Sequence, residues 1–151
     1  MAQRTIAVIG CGYWGKNIVR TFHTLGALRW VCDTRLHVLD DVRTKYGVQT
    51  SSSVLEILSD PEVEGVAIAA PAAQHYELAK RALDAGKHVL VEKPLALRLQ
   101  EGRHLAEIAD LRGRVLMVGH ILQYHPAILK LKELIAAGEL GSIKYIYSSR
   151  L

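Results

Sequence analysis

Short apolar runs alternate along the chain with longer stretches in which apolar positions recur every third or fourth residue. Ile6-Ala7-Val8-Ile9 is the first such run, and it leads through a glycine-rich turn into a helical pattern over 15–25. Further short runs fall at 28–32, 48–50, 63–69, 87–91 and 115–118. Between them the spacing predicts helices over 35–46, 54–58, 72–85 and 99–111. The punctuation agrees. Gly47 and Gly86 are natural helix stops, and Asp60-Pro61 ends the third helix. Ser53 and Glu56, just before and within an apolar run, have the spacing of a capping box.

The strand-like runs do not alternate apolar with polar, which suits strands buried on both faces of a parallel sheet covered by helices. The pattern predicts a doubly wound α/β fold, with 115–118 as one more buried strand. The tail differs. Pro126 opens a helix whose apolar face is Ile128, Leu129, Leu131, Leu134 and Ile135, and Gly141-Ser142 introduces a strand pattern over 143–151. The expected organisation is one domain over 1–119, then a linker helix and first strand of an incomplete second α/β domain over 120–151. The chain then reads as a truncated N-terminal piece, with a tail that self-associates or packs poorly because its strand edge and apolar face lack partners.

Composition narrows the class. Half the 151 residues are apolar and 23% are charged, globular proportions for a single domain. Lys+Arg 19 against Asp+Glu 15 gives a net charge of +4, but the basic stretch over 98–114 also carries Glu101, Glu107 and Asp110. That is a solvated helix face, not a nucleic-acid arm. Two cysteines, Cys11 and Cys32, both in apolar surroundings, provide no disulfide framework and read as core thiols. No metal-ligand set appears; His120 and His125 lack partners at a ligating spacing. The apolar segment from Ile6 to Cys11 is too short for a signal peptide or a membrane span of about 20 residues. The expectation is a cytoplasmic protein without membrane contact.

The chemistry begins at Gly10-Cys11-Gly12-Tyr13-Trp14-Gly15, a GxGxxG between a strand and a helix. Gly10 permits the tight turn, Gly12 lets a pyrophosphate approach the backbone, and Gly15 lets the helix close on the sheet. Tyr13 and Trp14 either line a cofactor pocket through their amides or cover the first helical turn. Asp33 follows at the end of the second strand, about 20 residues on, where an acidic side chain accepts from the adenosine ribose and repels a 2′-phosphate. That favours NAD over NADP, although Arg35 softens the preference. The other role for Asp33 is a helix N-cap. Glu92-Lys93-Pro94 follows the fifth strand, so Lys93 faces the crevice beyond the strands' carboxyl ends, where partial desolvation would ready it for proton transfer.

Gly10-Cys11-Gly12-Tyr13-Trp14-Gly15, Ala70-Pro71-Ala72-Ala73-Gln74-His75 and Glu92-Lys93-Pro94 together resemble the Gfo/Idh/MocA family, and the resemblance covers the entire chain. It implies a Rossmann dinucleotide-binding domain followed by an α/β domain with a large open sheet. The implied activity is NAD(P)-dependent oxidoreduction of sugars, cyclitols or sugar nucleotides. By the same resemblance Lys93 lies by the nicotinamide and positions or protonates the substrate oxygen, the one catalytic residue in this stretch. Asp33, Thr34, Ala70, Pro71, His75, Glu92 and Lys93 join the glycine loop as cofactor-binding positions. His75 either flanks the cleft or stabilises the helix start; His120 and His125 either meet substrate near the domain junction or are structural. Segment 119–148 is most similar to the branch acting on nucleotide-linked amino sugars or sugar acids, such as UDP-N-acetylglucosaminuronate 3-dehydrogenases. Ala70 stands where the family often has Thr, and the family's second catalytic group has no counterpart here. The resemblance also implies a homo-oligomer. The expectation is an oxidoreductase portion that binds NAD(H) but is inactive alone; the alternative is a non-enzymatic dinucleotide-binding module or redox sensor.

Overall fold

The short apolar runs become six strands of one sheet, every neighbouring pair parallel, in the order β3-β2-β1-β4-β5-β6. The structure is a computed structural model and describes residues 5–149. The elements run β1 (Ile6–Ile9), α1 (Gly15–Thr24), β2 (Leu28–Cys32), α2 (Leu36–Tyr46), β3 (Gln49–Ser51), α3 (Val54–Ser59), β4 (Gly65–Ile68), α4 (His75–Asp84), β5 (His88–Val91), α5 (Leu99–Leu111) and β6 (Leu116–Val118). The chain divides at Gly119 into two compact units, and all of these elements lie in the first.

Period-two alternation sorts the strand side chains onto two faces. Ala7, Ile9, Val66 and Ile68 join Leu78, Ala79, Ala82 and Leu83 of α4 and Leu105 and Ile108 of α5 in one core cluster. Val8, Val31 and Ala67 point the other way and pack with Val19 of α1 and Val38 and Val42 of α2. Both faces of the central strands are therefore dry, which is why the runs carry no polar alternation. Progression from β1 to β3 moves one way, and β4 returns to the opposite side of β1. That reversal opens a crevice at the carboxyl ends of β1 and β4.

Three expectations need correction. The Ser53–Glu56 capping box does not form: Ser53 precedes α3 without a side-chain cap bond. The Ser51 hydroxyl takes both partners instead, accepting from the Ser53 N–H at 2.9 Å and donating to the Glu56 carboxylate. β6 is not a buried strand but the sheet's edge, with Met117 41% exposed, because it pairs only with β5. The strand expected after Gly141 is absent over 143–149, where the backbone forms no regular element; Arg150 and Leu151 lie outside the described residues. A strand needs a neighbour for its ladder, and the described residues of the second unit offer none.

The second unit holds a 3₁₀ turn at Ile121–Tyr124 and α6 (Pro126–Ala136). Pro126 starts α6 as expected, but Leu129, Leu131 and Ile135 on its apolar side remain exposed.

The amino-terminal edge of the sheet carries a polar knot. Asp60 Oδ2 accepts from Trp30 Nε1 at 2.7 Å and Arg29 Nε at 2.8 Å, and Oδ1 from the Glu62 N–H at 2.9 Å. The Trp30 bond foremost, with the Arg29 pair, holds the Asp60 carboxyl down at about 2. Buried Lys87 donates to the Asp60 carbonyl at 2.8 Å. This knot ties β2, β4 and β5 together at the end opposite the crevice.

Candidate functional site

The glycine loop is shaped by three different steric demands. Gly10 has φ +90°, and a Cβ there would lie 2.7 Å from the Ala69 carbonyl, so loop and β4 touch backbone to backbone. A Cβ at Gly15 would run into the Gly10 carbonyl oxygen. At Gly12 an added Cβ meets nothing within 4 Å. Gly10 and Gly15 thus serve the fold, whereas the space above Gly12 is left open by the protein itself. Helix α1 begins at Gly15 without a side-chain cap and without an acidic residue in its first turn. The Lys16 and Asn17 N–H groups donate to the Gly12 and Trp14 carbonyls at 3.1 and 2.9 Å, and the positive end of the helix dipole has no acidic side chain to offset it against an incoming anion.

Asp33 ends β2 and is buried. Its Oδ2 accepts from the Cys11 N–H at 2.8 Å, tying the glycine loop to β2. Arg35 grips the same carboxylate with Nε on Oδ1 and Nη2 on Oδ2, both at 2.9 Å, and its own N–H donates to Oδ1 at 3.0 Å. Arg35 foremost, with the two amides, holds the carboxyl down at about 2. A carboxylate accepts about four hydrogen bonds, and all four are taken. Asp33 is not an N-cap: Arg35 occupies that position of α2 and makes no side-chain cap bond. Burial, with Asp33 adding to it, raises the thiols of Cys11 and Cys32, the latter to about 11, as befits core cysteines.

On the other side of the crevice, β4 and β5 end in two proline turns. Ala70 is half-buried before exposed Pro71, and Lys93 is exposed before Pro94, to which it is joined by a cis peptide. His75, at the start of α4, is 2% exposed, with Nε2 2.8 Å from the Ala70 carbonyl oxygen and Nδ1 2.6 Å from that of Pro94. Glu92 accepts from Trp14 Nε1 at 2.5 Å and from the Lys93 N–H at 3.3 Å. Since β4 lies between β1 and β5, the Trp14–Glu92 bond reaches across the end of β4. A Cβ at Gly119 would come within 3.0 Å of the Glu92 carboxylate, so this glycine makes room for it. Lys93 forms no ion pair among the described residues.

The structure brings Gly10, Gly12, Trp14, Gly15, Asp33, Ala70, Pro71, Glu92 and Lys93 to one edge of the sheet. Tyr13 is 94% exposed and Thr34 is exposed, both on the same edge. His120 is exposed in the second unit. His125 caps α6, its Nδ1 accepting from the Ala127 N–H at 3.2 Å. Sequence reasoning missed the Trp14–Glu92 bond, the fit of Gly119 to Glu92 and the saturation of Asp33. None has a local signal, since each joins segments separated in sequence or depends on side-chain rotamers.

The order of the sheet, the open glycine loop at its switch point and the acidic residue closing β2 define a dinucleotide-binding Rossmann domain. The chain belongs to the Gfo/Idh/MocA oxidoreductase family: the family model described as "Oxidoreductase family, NAD-binding Rossmann fold" matches residues 4–120. Among relatives, the UDP-N-acetylglucosamine 3-dehydrogenase of Acidithiobacillus ferrooxidans is 32% identical over 151 residues, covering 100% of this chain and 46% of its own length. Its crystal structure superimposes with a TM-score of 0.82 over 88% of this chain and 44% of that chain. The scyllo-inositol 2-dehydrogenase (NAD(+)) of Bacillus subtilis is 32% identical over 150 residues, 95% of this chain and 43% of its own. GenD2 from gentamicin A biosynthesis, solved in complex with NAD, is 37% identical with a TM-score of 0.84 over 92% of this chain and 41% of its own. The chain spans less than half the length of the curated relatives it matches. Among the described residues no helix is long and apolar enough to cross a membrane.

Proposed function

We propose that this chain is the cofactor-holding part of an oxidoreductase that moves a hydride between NAD(H) and a sugar or sugar-nucleotide carbon bearing a hydroxyl or ketone. The observation that carries the reading is the open glycine loop after β1, on the same carboxyl edge of the sheet as the β4 and β5 turns that carry Pro71 and Lys93. The residues fit a dinucleotide. The space above Gly12 and the α1 N-terminus receive the pyrophosphate, and Asp33 receives the adenosine ribose once Arg35 releases part of its grip. When bound, the nicotinamide supplies or accepts the hydride. Lys93 places its side-chain nitrogen beside the reacting oxygen, giving a proton to a ketone oxygen as the ammonium and taking a hydroxyl proton as the neutral amine. Ala70 and Pro71 wall the crevice on the β4 side, and Thr34 extends the ribose end.

Preference for NAD over NADP follows from Asp33, whose buried charge repels a 2′-phosphate. His120 belongs to this proposal as a substrate contact. So do a nucleotide-linked amino sugar as substrate, homo-oligomeric assembly and a cytoplasmic location. The two free, buried thiols suit a reducing compartment. Nicotinamide fluorescence titrations of the 151-residue chain test the reading: NADH binds saturably and more tightly than NADPH, with no turnover of UDP-N-acetylglucosamine. Equal or tighter binding of NADPH refutes the cofactor assignment, and turnover by this chain alone refutes the division of labour.

A further inference from the structure

The Asp33 side chain is 6% exposed, and its two oxygens offer about four acceptor positions. Two of these are held by the main chain, Oδ2 by the Cys11 N–H at 2.8 Å and Oδ1 by the Arg35 N–H at 3.0 Å. Those bonds fix the carboxylate to the glycine loop and to the start of α2. The other two are held by the Arg35 guanidinium, Nε on Oδ1 and Nη2 on Oδ2, both at 2.9 Å. A ribose diol brings two neighbouring O–H donors, and the main-chain amides leave it two acceptor positions, one on each oxygen. The guanidinium fork fills the same two.

The two sets of bonds differ in how they can give way. Moving either amide means moving the glycine loop or the first turn of α2. The Arg35 side chain is 49% exposed, and among the described residues its guanidinium bonds nothing but Asp33. It can turn out into water at the small cost of breaking a half-exposed ion pair. We propose that the Arg35 guanidinium is a built-in stand-in for the adenosine ribose: it occupies the diol's acceptors on Asp33 and competes with NAD(H) for them, so that the cofactor binds by displacing it. The proposal rests on the dinucleotide reading given above and adds a residue of that site that opposes binding. An arginine that only stacked on the adenine or drew in the phosphates would strengthen binding instead, so the sign of its removal separates the two roles.

Arg35→Lys tests the competition, because lysine keeps the positive charge and loses the planar fork. Nicotinamide fluorescence titration is expected to show NADH bound about two- to fivefold more tightly by Arg35→Lys than by the parent, the scale of one partly exposed ion pair. Affinity equal to the parent's, or weaker, overturns the proposal. The second measurement follows the Arg35 Nε–H in nitrogen-15 spectra of the unaltered chain, its signal identified by its loss in Arg35→Lys. At saturating NADH this proton is expected to exchange with water about tenfold faster or more, the scale of one charged hydrogen bond given up. Exchange at the rate seen without NADH overturns the proposal. If parent and variant both bind no NADH, the dinucleotide reading falls and the proposal with it. If NADH binds while Arg35 stays on Asp33, the proposal falls alone.

Discussion

Adding one methyl group to each glycine of the loop separates folding from binding. At Gly12 the new Cβ meets no atom within 4 Å and no positive φ is disturbed. Gly12→Ala is therefore expected to change stability by no more than about 0.5 kcal/mol, as at an unencumbered surface site. The methyl occupies the approach of the pyrophosphate, and overpacking of that kind costs about 1–3 kcal/mol, roughly a 5- to 150-fold loss of NADH affinity. Gly10→Ala behaves oppositely. Its φ of +90° and the 2.7 Å contact with the Ala69 backbone put the methyl where neither partner can retreat. Left-handed backbone and overpacking together cost about 2–5 kcal/mol, a large share of the roughly 5–15 kcal/mol that holds a domain together. Gly15→Ala drives its methyl into the Gly10 carbonyl and belongs with Gly10→Ala. Thermal unfolding followed by circular dichroism, paired with NADH titration by nicotinamide fluorescence, separates the two effects. If Gly12→Ala keeps both parental stability and parental affinity, the loop holds no dinucleotide. If it unfolds as readily as Gly10→Ala, the space above Gly12 is not open.

Asp33→Ala is expected to narrow the difference between NADH and NADPH affinity in the same titration, because it removes both the ribose acceptor and the charge facing a 2′-phosphate; an unchanged ratio contradicts that role. The Asp33 carboxyl sits at about 2 in the folded chain against an ordinary 3.8, so it stabilises the fold above about pH 4, and that contribution of about 2 kcal/mol is lost as pH falls from 4 towards 2. Asp60, also at about 2, adds in the same direction. Urea midpoints across that range should therefore fall, and fall less in Asp33→Asn; identical acid profiles for parent and variant would exclude the contribution. Leu83→Ala, at a fully buried position of α4, should lower stability by about 2–5 kcal/mol with an unchanged urea slope, and a smaller loss would mean α4 packs loosely.

The fold was legible because its signals are periodic and local. Non-alternating runs such as Val66-Ala67-Ile68 can be dry only between two helical layers, and Gly47, in the left-handed conformation at φ 59°, ends α2 where a glycine was expected to. Legibility failed where a residue's partner comes from elsewhere. Glu56 has capping-box spacing yet bonds Ser51, whose side chain sits nearer because β3 ends there. Residues 143–149 have a strand's composition, but strand formation requires a neighbour that sequence pattern alone does not provide. At the site, the glycine loop, Asp33 and the Glu92-Lys93-Pro94 turn were readable as motifs. The occupation of Asp33 by Arg35 and the two carbonyls on His75 were not, since both are facts of side-chain geometry.

Chemical-shift mapping of NADH onto the nitrogen-15-labelled chain tests most directly whether the cofactor lies across the carboxyl edge of the sheet. The account predicts saturable shifts of the Cys11, Gly12, Arg35, Ala70 and Lys93 amides, with Arg29 and Glu62 at the opposite edge unmoved. Shifts gathered around Asp60, or none that saturate at the glycine loop, would contradict it.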